Sequence, residues 1–101
     1  MAKPKRLDPI PPGEILLEEF MKPLGISQNK LSRDLDVPVS GINGLVNGKK
    51  GISADMALRL AKYFGTTPEL WLGLQSDYDI RRAMRDTWPA IEPLIRPIRA
   101  A

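Results

Sequence analysis

The side chains that could do chemistry in this chain are carboxylates and lysines, because its 101 residues include no histidine and no cysteine. Without imidazole or thiolate there is no Ser-His or Cys-His pair, no thiolate zinc site and no disulfide. The acidic cluster is Glu14, Glu18 and Glu19. Glu14 and Glu18 are four residues apart, the spacing of an acid/base pair on one helix face. No polar pocket residues accompany them, so we interpret the cluster as a solvated helix face and predict no enzyme, no metal site and no cofactor.

A second candidate group is the run Asn47-Gly48-Lys49-Lys50-Gly51. Gly48 can adopt a positive φ and end a helix, which places both lysines and the nearby backbone amides where they could meet phosphate oxygens. An ordinary glycine-rich linker is the alternative interpretation. A nucleotide-binding P-loop is excluded, because its glycine-to-lysine spacing and its preceding strand are missing.

The segment that must position these lysines is 27–46, which has the pattern of a helix-turn-helix. Ser27 is a predicted N-cap, and Leu31 and Leu35 lie one turn apart on the helix that follows. Asp36 tolerates the left-handed conformation that a sharp turn requires, and Pro38 ends the first helix. Ile42, Leu45 and Val46 then repeat at helical spacing. An αα-corner packed only for stability is the alternative.

Composition agrees with one intracellular domain. The length suits a single core, and 43% hydrophobic residues suffice to form it. No apolar run approaches the roughly 18 residues of a membrane span, and nothing resembles a signal peptide. We therefore expect a cytoplasmic protein that is not associated with a membrane. The net charge of +3 and the pI near 9.5 permit nucleic-acid binding without requiring it.

The rest of the chain completes an all-α fold of five helices. Residues 1–11 are read as a flexible basic arm, which more often solvates than binds. Residues 12–85 form the domain: helix 1 runs from Pro12 to about Met21 and is closed by Pro23 and Gly25. Two further helices begin at Ser53 and at Thr67, each a predicted N-cap, and Gly65 ends the first of them.

The last helix carries an apolar and aromatic stripe that is either core or a dimer contact. Its members follow at helical spacing, and we predict a dimer interface at Leu70, Trp71, Leu74 and Tyr78.

Residues 86–101 form an apolar, proline-spaced tail. Pro89, Pro93 and Pro97 recur every four residues, which argues against a regular helix. The residues between them are too apolar for a typical disordered tail. We expect an extended segment lying on a surface, either of its own chain or of a partner.

Several stretches together resemble the HigA-type antitoxins, which are XRE-class, lambda-repressor-like helix-turn-helix proteins. The resemblance covers roughly residues 11–80. The stretches that carry it are Pro12-Gly13-Glu14-Ile15-Leu16, Glu18-Glu19-Phe20, Pro23-Leu24-Gly25, Ser27-Gln28, Asn47-Gly48-Lys49, Met56-Ala57-Leu58-Arg59-Leu60-Ala61, Gly65-Thr66, Trp71-Leu72, Leu74-Gln75 and Tyr78-Asp79.

The resemblance implies a homodimeric DNA-binding protein that represses its own operon and neutralises a HigB-type toxin, a ribosome-dependent mRNA endonuclease, by direct contact. Two copies would place the second helix of the motif in successive major grooves of a palindromic operator, about 34 Å apart. In matching positions, Gln28 would contact the DNA backbone and the lysines would meet phosphates. The implied DNA-binding residues are Gln28, Val39, Ser40, Asn43, Lys49 and Lys50.

Three departures from the family pattern predict weaker or less selective DNA binding than in a typical relative. Asp36 replaces a turn glycine and brings negative charge near DNA. Pro38 occupies the usual Ser/Thr cap of the recognition helix. Gly41 and Gly44 stand where longer polar side chains are frequent. Each costs roughly 1 kcal/mol against alanine within a helix, and each removes a possible base contact.

Two other functions remain open at this point. One is a stand-alone XRE-type regulator without a toxin, which the neighbouring reading frame would distinguish. The other is a protein-interaction module that has lost DNA recognition, which the glycines of the recognition helix would permit.

Overall fold

The computed structural model describes residues 8–99, which form six helices and no strand. Helix α1 spans 12–24 and joins an α-helical Pro12–Ile15, a π-helical Leu16–Met21 and an α-helical Lys22–Leu24. It is followed by α2 (Gln28–Leu35), α3 (Val39–Val46), α4 (Ala54–Phe64), α5 (Pro68–Asp86) and α6 (Trp88–Ile91), which continues into a 3-10 turn, Glu92–Leu94. The all-α class is confirmed, with one helix more than predicted. The predicted arm lies outside the described residues over 1–7, as does the tail over 100–101.

The predicted helix caps are present. The side-chain oxygens of Ser27, Ser53 and Thr67 each accept the backbone N–H three residues later, at 3.0, 3.2 and 3.2 Å. At the other ends, Asp36 and Gly65 adopt positive φ, as expected of residues that close a helix. Short-range sequence signals therefore determine where α2, α4 and α5 begin and where α2 and α4 end.

Helix α1 extends further than predicted, because Pro23 lies inside it and does not end it. Residues 16–21 form a π-helix, in which the Lys22 N–H donates to the Leu17 carbonyl five residues back. A proline in an α-helix clashes with the carbonyl four residues before it; the wider π turn relieves that conflict. The helix then ends at Gly25, with φ +65°, and the Ile26 N–H donates to the Met21 carbonyl at 2.9 Å.

The core is formed by side chains of helices α1 to α5 together with one residue of the loop before α4. Its completely or nearly buried members are Leu16, Met21, Leu31, Leu35, Ile42, Leu45, Ile52, Ala57, Leu60, Ala61 and Trp71. Trp71 is fully buried against Phe20, with ring centroids 4.8 Å apart, and its indole N–H donates to Thr66 Oγ1 at 2.8 Å. The prediction that Trp71 forms a dimer contact is therefore wrong, because no part of its side chain reaches the surface.

Helix α3 is held from behind by α1 at a point of unusually close backbone approach. A Cβ atom added to Gly13 would lie 1.6 Å from the Leu45 carbonyl oxygen. Only glycine fits there, so the backbones of α1 and α3 touch directly. Ile42 and Leu45 point into the core from α3, which leaves the opposite side of this helix facing outward.

The tail does not have the extended structure predicted from its prolines. Residues 88–94 are helical, because Pro89 and Pro93 each occupy a first-turn position. The N–H that proline lacks has no acceptor within the helix at such a position, so no hydrogen bond is lost. Residues 95–99 have no regular structure. Within the described residues, the apolar side chains of Ile91, Leu94 and Ile98 are exposed.

No helix among residues 8–99 is long and apolar enough to cross a membrane. No group of three or more acidic, histidine or cysteine side chains in that range is arranged to hold a metal ion.

Candidate nucleic-acid interface

The α2–α3 pair forms the predicted helix-turn-helix, and its turn is closed by backbone hydrogen bonds. Asp36 has φ +58° and ψ +50°, and the Val37 N–H donates to the Ser32 carbonyl at 3.0 Å. Pro38, with φ −63° and ψ 145°, then precedes α3 without any side-chain cap. Helix α3 therefore begins at Val39 with no side-chain cap on its first N–H groups.

Three amide side chains on the outer side of this pair are joined by hydrogen bonds. Asn43 Nδ2 donates to Gln28 Oε1 at 3.3 Å, and Asn47 Nδ2 donates to Asn43 Oδ1 at 3.0 Å. We call Gln28, Asn43 and Asn47 the amide chain. Each member keeps at least one N–H or oxygen lone pair that these two bonds do not use. The arrangement therefore presents oriented donors and acceptors at the surface.

Asn47 was missed by the sequence analysis, which treated it only as part of the loop after α3. The available signal was its position four residues after Asn43, since amide side chains at that spacing meet on a helix surface. The contact of Gln28 with Asn43 had no comparable local signal, because fifteen residues separate them.

The N-terminal turn of α3 adds further exposed side chains. Val39 and Ser40 are both exposed, and Asn43 follows one turn later. Between them, Gly41 faces open space: a Cβ added there would have no neighbouring atom within 4 Å. The predicted residues Val39, Ser40 and Asn43 are thus accessible together, and Gly41 leaves a gap in the same surface.

Gly44 has a different role from the one predicted, because it lies beneath the side chain of Lys50. A Cβ atom at Gly44 would be 2.8 Å from Lys50 Cδ. The prediction that Gly44 removes a base contact is wrong, since this position is buried under the lysine stem.

The two lysines after α3 keep exposed side chains, but their backbone amides are occupied. The N–H groups of Lys49 and Lys50 both donate to the Gly44 carbonyl, at 2.9 and 3.0 Å. The suggestion that these amides face phosphates is therefore wrong, whereas the two ammonium groups remain available to a polyanion.

Arg59 on α4 braces the end of α2 and was not identified from the sequence. Its Nη1 donates to the carbonyl oxygens of Leu35 and Asp36, the latter at 3.2 Å. Its Nε donates to Asp55 at 2.8 Å, which fixes the guanidinium in place. The sequence showed only the i, i+4 spacing of Asp55 and Arg59, which indicates a surface ion pair and no more.

The Asp34 carboxylate, near the C-terminal end of α2, is paired with a hydroxyl and an ammonium group. The Tyr63 hydroxyl donates to Asp34 at 2.7 Å and Lys30 Nζ donates to the same oxygen at 2.9 Å. The hydrogen bond from Tyr63, followed by that from Lys30, lowers the pKa of Asp34 below its usual value. The Asp34 carboxylate is thus ionised and paired at neutral pH.

The helix-turn-helix geometry of the α2–α3 pair agrees with the known proteins to which this chain is similar. The protein family described as Helix-turn-helix matches residues 17–71. Antitoxin HigA-1 of Vibrio cholerae is 38% identical over 80 residues, which cover 79% of this chain and 74% of that protein.

Two solved structures are similar over most of the chain. The HigA-family addiction module antidote protein of Coxiella burnetii is 46% identical, with a TM-score of 0.85 over 91% of this chain and all of that one. The Pseudomonas aeruginosa antitoxin HigA, solved with the higBA promoter, is 43% identical, with a TM-score of 0.86 over 90% of this chain and 99% of that one. The chain therefore belongs to the XRE-class helix-turn-helix family, among the HigA-type antitoxins.

Proposed function

We propose that this protein is the antitoxin of a type II toxin-antitoxin module. It binds a palindromic operator as a homodimer, represses its own operon and neutralises a HigB-type mRNA endonuclease by direct contact, all in the cytoplasm. The observation that carries the DNA-binding part is the exposed amide chain on the α2–α3 pair. The similar HigA of Pseudomonas aeruginosa, solved with its promoter, supports the same assignment.

The chemistry of the exposed residues suits reading a major groove. Asn43 can offer a donor and an acceptor to an adenine edge, Ser40 can bond to several bases, and the methyl groups of Val39 suit a thymine methyl. Gln28, whose Oε1 accepts a hydrogen bond from Asn43 Nδ2, would contact the DNA backbone and hold the Asn43 amide in one orientation. Lys49 and Lys50 would neutralise phosphates on either side of the groove.

Selectivity is expected to be modest, because the recognition surface is short of polar side chains. Gly41 contributes no side chain, and Val39 contributes no hydrogen bond. Asp36 lies in the turn beside this surface. Nanomolar binding with sharp single-base discrimination would contradict this expectation.

The test of DNA binding is a fluorescence-anisotropy titration of the chain's own promoter and of single-base variants. We expect Asn43→Ala to relax discrimination at one base pair by about 1–3 kcal/mol, and Lys49→Ala to weaken all sequences alike and reduce the salt slope by about one. Ser76→Ala, which removes an exposed hydroxyl from α5, is the matched control and should leave binding unchanged. A dimer that ignores its promoter even at low salt would leave only the protein-interaction module.

Neutralisation of the toxin is tested separately, by co-expression of this chain with the adjacent reading frame. We expect rescue of growth and a stable complex that survives purification. Promoter binding without rescue and without a complex would instead identify a stand-alone regulator.

A further inference from the structure

The loop between α3 and α4, residues 47–53, carries Lys49 and Lys50 and is held at both of its ends. We call it the lysine loop. At its start, the N–H groups of both lysines donate to the Gly44 carbonyl, at 2.9 and 3.0 Å. At its end, the side chain of Ile52 is 5% exposed and belongs to the core. The two exposed lysine side chains therefore extend from a short stretch of chain that is fixed on either side.

Gln75 on α5 holds the second end of this loop through its side-chain amide. Its Oε1 accepts the Ile52 N–H at 2.7 Å, although 23 positions in the sequence separate the two residues. Its Nε2 donates to Asp79 Oδ1 at 2.9 Å. Because an ionised carboxylate only accepts hydrogen bonds, the contact with Asp79 determines which end of the amide faces the loop. Gln75 therefore presents an acceptor to the backbone of Ile52.

Gly51 allows this amide to lie directly against the backbone of the lysine loop. A Cβ atom at Gly51 would be 3.1 Å from Gln75 Cδ and Nε2, and 3.2 Å from Oε1. Separations this small are tighter than most real Cβ contacts, so the amide and the loop are closely packed. The hydrogen bond to Ile52 is also partly buried. A hydrogen bond shielded from water in this way is stronger than one at an exposed site.

The side chains near Gln75 on α5 have other surroundings. Leu74 packs against the core, and Leu70, one turn before it, is 40% exposed. Tyr78 is half-buried, with the Arg82 guanidinium 5.4 Å from the centre of its ring. The dimer contact at Leu70, Leu74 and Tyr78 stays a prediction. None of these contacts involves the lysine loop, so a change at Gln75 can be tested without altering them.

We infer that Gln75 is a positioning residue for phosphate binding, which holds the lysine loop in the conformation in which Lys49 and Lys50 meet the DNA backbone. The inference rests on the proposed function for the identity of the polyanion, which is operator DNA. Both hydrogen bonds of Gln75 join groups of the protein itself, so they order the loop without help from a phosphate. A loop that is already ordered loses less conformational entropy on binding, and its affinity is higher for that reason.

Fluorescence-anisotropy titration of the promoter duplex with the Gln75→Met variant tests the inference. This substitution keeps the length of the side chain but removes the acceptor for the Ile52 N–H. We expect the Kd to rise about tenfold, the factor that corresponds to ordering the backbone of roughly one residue. The salt slope should equal that of the wild type, because both lysines still neutralise phosphates in the complex. Ser76→Ala, at the neighbouring exposed position, is the matched control and should bind as the wild type does.

A double-mutant cycle shows whether Gln75 acts through the two lysines. The Lys49→Met/Lys50→Met variant removes both charges and keeps the apolar stems of the side chains. In that background Gln75→Met should cause no further loss of affinity, since no charge remains to be positioned. The exchange Gln75→Glu/Asp79→Asn keeps the net charge, an acceptor for Ile52 and a hydrogen bond between positions 75 and 79, and should restore wild-type binding. A role confined to folding would lower the Tm of Gln75→Met and leave the Kd of the folded protein unchanged.

An unchanged Kd for Gln75→Met, or an equal loss of affinity in the background without the two lysines, would overturn the inference. A wild type that does not bind its promoter at low salt would reject the proposed function, and the inference is then decided without DNA. In ¹⁵N relaxation measurements on the free chain, we expect lower order parameters for the backbone amides of Lys49 and Lys50 in Gln75→Met than in the wild type. Equal order parameters in the two proteins would overturn the inference independently of the proposed function.

Discussion

Replacement of Gly13 by alanine is predicted to disrupt the packing that sets the position of the recognition helix α3. The added Cβ would lie 1.6 Å from the Leu45 carbonyl oxygen and 2.3 Å from its carbon, whereas real Cβ atoms show almost no contacts under 3.0 Å. Both opposing atoms are backbone, so no rotamer change relieves the clash. Helix α1 must therefore move away from α3 by more than 1 Å.

The loss of folding stability caused by this clash can be estimated by comparison with overpacked cores. Overpacking a core costs about 1–3 kcal/mol where side chains can give way. A backbone clash belongs at the upper end, so we expect a loss of about 3 kcal/mol. At about 4–8 °C per kcal/mol for a domain of this size, the Tm should fall by roughly 12–24 °C.

Thermal unfolding followed by circular dichroism at 222 nm measures this loss. Gly73→Ala is the matched control, because a Cβ added at this position within α5 meets no atom within 4 Å. It should raise stability by about 0.5–1 kcal/mol, since alanine is favoured over glycine in a helix. A Gly13→Ala variant that melts within a few degrees of the wild type would refute the close approach of α1 to α3.

Three further changes have defined outcomes. Gly41→Ala should stabilise the protein by up to about 1 kcal/mol in urea unfolding, because the site is open and helical; a loss of stability would show that the site is crowded. Tyr63→Phe should lower the free energy of unfolding, and this loss should not vary with pH between about 5 and 7. The difference in stability between wild type and variant should fade below pH 3.8. The reason is that Tyr63 lowers the pKa of Asp34, so the stabilisation is complete above the ordinary value of 3.8 and is lost as the pH falls through the lowered one; a difference that persists at pH 2 would exclude this origin. Arg59→Ala should cost about 1–3 kcal/mol in the same urea assay by removing the donors to the end of α2, and Arg59→Lys should not restore it, because one ammonium cannot reproduce the guanidinium fork; full rescue by lysine would show that only charge matters.

Local chemistry made much of the fold predictable. Ser27, Ser53 and Thr67 cap helices because a hydroxyl three residues before an N–H can accept it, and no distant residue is needed. Asp36 could be placed in the left-handed region because Pro38 forbids the helix from continuing and few side chains tolerate that turn.

The failures came where the outcome depends on a neighbour. Pro23 predicts the end of an α-helix, but α1 continues past it after a π-helical turn. Pro89 and Pro93 looked like helix breakers, but each begins a new short turn in which proline is favoured. Spacing alone does not show whether a proline lies inside a turn or at its start.

In the candidate site too, features set by local spacing could be predicted, whereas contacts between separate segments could not. The exposure of Ser40 and Asn43 followed from helical periodicity, because Ile42 and Leu45 must face the core. The bond between Asn43 and Gln28, and the shielding of Gly44 by Lys50, bring together residues from different segments. Helical spacing contains no information about such contacts, and only the packing of α2, α3 and the following loop fixes them.

The most direct measurement of the DNA-reading surface is an NMR titration of the ¹⁵N-labelled chain with its promoter duplex. We expect the side-chain amide signals of Gln28, Asn43 and Asn47 to shift first and most, while that of Gln75, bonded to Ile52 and Asp79, stays in place. Shifts confined to α4 and α5, with the three signals of the amide chain unchanged at saturation, would contradict the assignment of this surface to DNA.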